Sequence, residues 1–466
     1  MPVGWLITAG LVALGMAAAL RPPSRSGLPG LGAWFVSAIP NESPLLAFYW
    51  MGASTLLAFS QGELHGPRVW VALGAAAAPF AGAPVLVRRS LRAAPAIEQA
   101  LDRAIGPRWR HAGAGQSIAP HPPWARILFA PLPLFHPGVT RISNLSYGDA
   151  GRRNRLDLYR RRGGGSGGPV LIHLHGGGFS FLPGRKSFYA RRLLFRLARH
   201  GWTCISATYR LQPAATFPDE LIDVKKMIAW ARARASEHGG DPDQIVLAGS
   251  SFGARLATLA GFTMNDPAFQ PGFHQADTSV AAVVGLYGYY GGIASPQSLP
   301  SSPFDYAERG SAPLLIVHGD QDTFTSASRA RALAEQARSA SSNPVVYAEL
   351  PGAQHAFDLL CSIRFEAVIG GIEAFATSIT APDDTVVPEV YVDSPRGCTE
   401  SFAVPPVCSG PVTRPGLAAP SYSIEDVAPK PPPGRPPSRG RCSARVREHA
   451  WWLRTLDRYG PVLVSE

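Results

Sequence analysis

Hydrophobic and polar positions follow two regimes along this chain. Up to about residue 90 the apolar positions form long unbroken runs, Trp5–Leu20, Leu45–Ser60 and Val69–Val87, and none of them holds an acidic or basic residue. From Pro169 onward they form short blocks. Val170–His175, Thr203–Tyr209, Ile245–Ser250, Val280–Leu286, Leu314–His318 and Val345–Leu350 read as strands. Lys186–His200 and Pro218–His238 read as helices; in the second, Leu221, Val224, Ile228 and Ala231 recur at steps of three and four. Strands alternating with helices predict a mainly parallel sheet covered on both faces.

The long runs carry a different expectation. A bilayer core needs about 20 mostly apolar residues. The first and third runs meet that length, and the second meets it when Ser43 and Pro44 join it. Three transmembrane helices are therefore expected. The alternatives are helices buried in a globular core and, for the first run, a signal sequence, although no lysine or arginine precedes it. Arginines flank the runs unevenly. Arg21 and Arg25 follow the first and Arg88, Arg89 and Arg92 the third, whereas the loop between the second and third runs has Arg68 against Glu63. The positive-inside rule then places residues 21–43 and everything after Val87 on the cytoplasmic side.

These changes of pattern divide the chain into a membrane region at 1–90, a linker or cap at 91–138, a catalytic domain at 139–380 and a tail at 381–466. The tail is rich in proline, serine and glycine, with Pro431–Pro433 and Pro436–Pro437, and reads as extended or disordered. Net charge is +11 and comes mostly from arginine, yet no nucleic-acid-binding module accompanies it. The five cysteines form no C-x-x-C pair, which argues against a structural zinc site. Nothing in the chain calls for a metal or organic cofactor.

Candidate chemistry gathers at the ends of the expected strands, where open α/β sheets bind their ligands. Gly249-Ser250-Ser251-Phe252-Gly253 follows one strand and precedes a helical pattern, the arrangement that exposes a serine on a tight turn. His175-Gly176-Gly177-Gly178 follows another strand, Asp320 and Asp322 a third, and His355 a fourth. A serine hydroxyl needs a histidine to take its proton, and that histidine needs a carboxylate to fix its tautomer and stabilise its positive charge. Ser251, His355 and Asp322 are the candidates; Asp320 competes with Asp322 for the third role. Backbone N–H groups of Gly177, Gly178 and Phe252 would form the oxyanion hole. The chain order serine, aspartate, histidine is the α/β-hydrolase order.

Residues 139 to about 377 resemble the hormone-sensitive-lipase-like branch of the α/β-hydrolases, with its bacterial carboxylesterases and arylacetamide-deacetylase relatives. The resemblance rests on Tyr147-Gly148, Leu156-Asp157-Leu158-Tyr159, His175-Gly176-Gly177-Gly178-Phe179, Tyr209-Arg210-Leu211, Phe217-Pro218, Asp223, Gly240-Asp241-Pro242, Ser251, Asp322 and His355. It implies an α/β-hydrolase fold and hydrolysis of short-chain acyl esters or amides through an acyl-enzyme. Two departures stand out: Ser250 where the family often has aspartate, and Ala214 where it often has glutamate. The resulting expectation is a membrane-anchored serine ester hydrolase acting on small or lipid-like acyl esters. Acyl transfer, amide hydrolysis and a catalytically silent binding module are the alternatives. The linker, with Trp109, Trp124, Phe129 and Phe135, is expected to pack over the site and hold its mouth near the bilayer.

Overall fold

A computed structural model describes residues 3–22, 27–64, 66–107, 109–110, 117–119, 122–165, 167–177, 184–186, 188–293, 295–296 and 299–380. The expected tail, 381–466, lies outside the described residues. The catalytic domain is built on an eight-stranded sheet. Its strands are β1 (Val139–Ser146), β2 (Arg155–Arg161), β3 (Gly168–Leu174), β4 (Thr203–Ala207), β5 (Gly240–Ser250), β6 (Ala282–Leu286), β7 (Leu314–Gly319) and β8 (Val345–Leu350). They lie in the order β1-β2-β4-β3-β5-β6-β7-β8. From β4 to β8 every pairing is parallel, whereas β1 and β2 join antiparallel at one edge.

Side chains alternate across a strand, so a sheet covered on both faces needs apolar residues at every position. Leu171, Val246, Ala248, Val284, Leu315 and Val346 enter one core, and Val170, Ile172, Leu247, Val283, Leu314 and Ile316 enter the other. This double burial makes β3 to β8 legible as apolar blocks. The edge strands escaped that reading because β1 is largely exposed and β2 carries Arg155, Asp157, Arg160 and Arg161. Asp157 is nonetheless fully buried, where it accepts from both Arg141 and Lys186.

The amino-terminal region is helical: α1 (Val3–Leu20), α2 (Gly27–Glu42), α3 (Pro44–Ser60), α4 (Arg68–Ala77), α5 (Ala83–Leu91) and α6 (Ala93–Ile105). Two departures from expectation matter. Residues 21–43, expected as a loop, hold α2. The third apolar run is not one regular helix, because a 3₁₀ segment at Ala78–Gly82 separates α4 from α5. Pro79 and Pro84 lack the N–H that a continuous helix would require there. The linker departs in its first half: α6 packs against β8 and the last helix, and Trp109 is buried in the core with it. Trp124 and Phe129 of α7 (Trp124–Phe129) and Phe135 beyond it are exposed.

Helices α8 (Arg191–Arg199), α9 (Asp219–Arg234), α10 (Phe252–Phe262), α11 (Ala327–Ala340) and α12 (Ile363–Thr380) cover the sheet. Helix α8 starts later than the expected Lys186, after Ala190 in the left-handed region. Every residue of α10 is buried, so the helix behind Ser251 has no solvent face.

Candidate active site

Strand β5 ends at Ser250 and α10 begins at Phe252, so Ser251 alone makes the turn. Its backbone sits at φ 55° and ψ −116°. Holding a residue with a Cβ in such a sparse region costs about 1–3 kcal/mol. The flanking glycines allow this. A Cβ on Gly253 would lie 2.3 Å from the Leu174 carbonyl oxygen, and one on Gly249 would lie 2.2 Å from that of Gly253.

His355 lies in the loop after β8 and reaches Ser251. Its Nε2 is 3.0 Å from Ser251 Oγ, and its Nδ1 is 2.8 Å from Asp322 Oδ2. The hydroxyl of Thr325 donates to the same carboxylate oxygen at 2.9 Å, and Oδ1 accepts the N–H groups of Phe324 and Thr325, each at 2.8 Å. Burial works against a charge on Asp322, but His355 and His318 outweigh it and hold the carboxyl well below the usual carboxylate range. An ionised carboxylate only accepts, so the proton of a neutral His355 resides on Nδ1 and Nε2 is left bare toward the serine. Of the two aspartates, Asp322 stands against the imidazole, whereas Asp320 accepts the Gly352 N–H at 2.6 Å, bracing the loop that leads to His355.

Gly177 is buried in the left-handed region at φ 87°, and Gly178 lies outside the described residues. Gly176 lies against Ser251; a Cβ there would be 3.1 Å from Ser251 Cβ. The loop is anchored by His175, whose ring stacks on Tyr209 with centroids 4.5 Å apart and whose carbonyl accepts from the Tyr209 hydroxyl at 2.7 Å. Burial lowers the His175 pKa to about 4, so the stacked ring is neutral. Phe252 opens α10, where helix N–H groups lack intrahelical acceptors and favour negative charge. Its ring is buried, with the Arg255 guanidinium 5.1 Å above it.

A second polar chain behind Ser251 was not foreseen. Ser250 donates to Asp358 Oδ2 at 2.6 Å, and His173 Nε2 lies 2.9 Å from the same hydroxyl. Since that hydroxyl proton points to Asp358, His173 must donate from Nε2, leaving Nδ1 bare, as its lack of any partner agrees. Burial depresses His173 to about 3 and raises Asp358 to about 6. The available signal was spacing: Asp358 follows His355 by three positions, as Thr325 follows Asp322. Among the described residues no cluster of His, Cys, Asp or Glu is arranged to hold a metal ion.

Residues 156–295 match the BD-FAE family. A probable carboxylic ester hydrolase of Mycobacterium tuberculosis, LipM, is 36% identical over 417 residues, spanning 81% of this chain and 94% of that protein. Esterase LipQ of the same organism is 35% identical over 264 residues, or 51% of this chain and 62% of that protein. Among solved structures, esterase 2 of Thermogutta terrifontis superposes with a TM-score of 0.45 at 23% identity, over 54% of this chain and 98% of that one. The extent of the match to LipM, together with a parallel sheet that ends in a strained serine turn, makes this chain a member of the carboxylic ester hydrolases of the α/β-hydrolase superfamily.

Proposed function

We propose that Ser251, His355 and Asp322 hydrolyse acyl esters through an acyl-enzyme on Ser251. His355 takes the serine proton as the hydroxyl attacks the ester carbonyl, and Asp322 stabilises the imidazolium that results. The same proton then passes to the leaving alcohol. In the second half, His355 takes a proton from water, the hydroxide attacks the acyl carbon, and the acid leaves as Ser251 recovers its proton. Backbone donors at Gly177, Gly178 and Phe252 are assigned to the oxyanion; losing one such donor typically costs about 2.7–4 kcal/mol of transition-state stabilisation. The observation that carries the reading is the unbroken line from Ser251 Oγ to His355 at 3.0 Å and from His355 to Asp322 at 2.8 Å.

The site is read as membrane-anchored, with the catalytic domain on the cytoplasmic side and lipid-like esters as substrates. Among the described residues, two helical stretches are long and apolar enough to span a bilayer, Val3–Leu20 and Val69–Ile105, and Pro44–Ser60 is a shorter apolar helix. Leu6, Ile7, Leu11 and Leu14 on α1 and Trp50, Leu56, Leu57 and Phe59 on α3 face outward. An apolar surface of that breadth suits lipid better than water. Contacts of α2 with the catalytic domain support reading residues 27–42 and that domain as lying on the same side, the one the arginines suggest.

The decisive experiment is a p-nitrophenyl ester chain-length series on wild type and Ser251→Ala. Loss of the nucleophile should lower kcat by about 10⁶-fold, the order found when the serine of subtilisin is removed, and abolish labelling by a fluorophosphonate. A Ser251→Ala protein that keeps its activity would remove the assignment. An added alcohol that diverts the acyl group would mark acyl transfer instead.

A further inference from the structure

The base of this site is held from outside the hydrolase domain. The indole N–H of Trp34 on α2 donates to the backbone carbonyl of His355 at 2.9 Å. Its ring stands edge-on to the imidazole, with centroids 6.2 Å apart, and 5.8 Å from Phe324, which itself lies 4.7 Å from His355. Asn41 donates to the Gly352 carbonyl at 3.0 Å, and Arg364 joins it there at 3.2 Å. Glu42, the last residue of α2, accepts from the Arg364 guanidinium and, at 2.8 Å, from the Ser362 hydroxyl. On the carboxylate side, the hydroxyl of Thr323, next to Asp322, donates to the Gly30 carbonyl at 2.8 Å. One short helix thus grips both loops that bear the charge-relay partners of Ser251.

We propose that α2 is a positioning element of the catalytic machinery, with Trp34 as the residue that sets His355 against Ser251. The inference rests on reading His355 as the base. Residues 351–362 form a loop without regular structure, so the position of the imidazole depends on what holds its backbone. Trp34 is buried, and its hydrogen bond is made to the His355 carbonyl rather than to the imidazole. Proton transfer demands tight geometry, and a displacement of about 1 Å can cost about 100-fold in rate.

The other face of α2 explains why this hold is informative. Phe35 and Ile39 are exposed there. Helix α1 lies directly against α2, since a Cβ on Gly15 would come within 2.6 Å of the Val36 carbonyl oxygen. Arg89 of α5 donates to the Leu20 carbonyl at 2.8 Å, and its side chain packs on Gly352. The apolar helices and the catalytic loop therefore form one continuous packed unit. A shift of α1 relative to the sheet moves Trp34, and the rate reports it.

The test uses the full chain in detergent micelles. Trp34→Phe keeps an aromatic ring, a smaller one, and removes the donor. The active fraction is counted by fluorophosphonate titration, and kcat, KM and the pH profile of kcat/KM are measured with p-nitrophenyl butyrate. The expected result is a fall in kcat per titrated site of about tenfold, a KM within about twofold of wild type, and a displaced acidic limb in the pH profile. A role in folding alone would reduce the titrated fraction and leave kcat per site and the acidic limb in place; that outcome overturns the proposal. Thr323→Val, which removes the Gly30 contact, is judged by the same criteria and decides the matter if Trp34→Phe does not fold. Ser251→Ala separates the two levels of the reading. If it retains activity, the assignment of the nucleophile fails; if it is inactive while Trp34→Phe and Thr323→Val match wild type, only the role of α2 fails.

Discussion

Replacing Asp322 by asparagine tests the proton bookkeeping of the site. The carboxylate has two differently occupied oxygens. Oδ1 accepts two backbone N–H groups at 2.8 Å each, and Oδ2 accepts from His355 Nδ1 and the Thr325 hydroxyl. An asparagine fits the same space but has one acceptor and one donor end. Two fixed amide donors claim the oxygen, so the NH₂ must face His355. The imidazole then accepts at Nδ1 and carries its proton on Nε2, toward Ser251, where it no longer takes the serine proton. The same exchange in the chymotrypsin triad, the standard worked case, lowers kcat about 10⁴-fold. At this site the expected loss is about 10³–10⁴-fold, or about 4–5.5 kcal/mol in the barrier. The assay is kcat on p-nitrophenyl butyrate at pH 7.5, with KM followed alongside. Asp320→Asn is the control, because Asp320 accepts the Gly352 N–H while the imidazole is held by Asp322; its loss should stay below about 30-fold. A drop of less than tenfold in Asp322→Asn, or an Asp320→Asn protein damaged just as much, would refute the reasoning.

Three other outcomes follow from the same structure. Gly253→Ala places a methyl 2.3 Å from the Leu174 carbonyl oxygen and 2.5 Å from that of His175, both main-chain atoms; it should cost about 3 kcal/mol or more, seen as a collapse of the thermal midpoint. Burial raises Asp358 from 3.8 to about 6, so this group favours the folded state fully below pH 3.8 and loses that contribution as pH rises through about 6. Asp358→Asn should remove about 2.4 kcal/mol of that pH dependence, measured as the difference in unfolding free energy between pH 4 and pH 7, and an unchanged slope would contradict it. Leu57→Arg, on the exposed face of α3, should weaken bilayer insertion by about 2.5–3.5 kcal/mol in a membrane-partition assay, whereas a soluble protein would be indifferent to it.

What could be read from the chain, and what could not, follows from how far each residue's partner lies from it. Ser251 and its glycines were legible because a single tight turn sets their identities. The strands β3 to β8 were legible because both faces are apolar. Strand β2 was not read as one, since its Asp157 is compensated by Arg141 and Lys186 from other segments. Helix α2 was missed for a related reason. Gly30, Gly32 and Pro40 interrupt its apolar pattern, and the charge of Glu42 finds its counterpart at Arg364, 322 positions away. Asp320 and Asp322 differ by two positions and are chemically identical; only the turn at Gly319 and the placement of Gly352 send one to the backbone and the other to the imidazole.

The Glu42–Arg364 pair has a practical consequence for anyone trimming this enzyme to a soluble fragment. Sequence similarity invites a cut near residue 139, where the hydrolase fold begins. Such a cut would leave Arg364, fully enclosed in the present structure, as an orphan cation beneath the catalytic loop. Stripping one member from an enclosed ion pair typically costs about 3–5 kcal/mol, a large share of a domain's whole stability. A fragment intended for crystallisation or assay should therefore begin before Gly27 and carry solubilising changes on the outer face, or replace Arg364 with a neutral side chain of similar bulk.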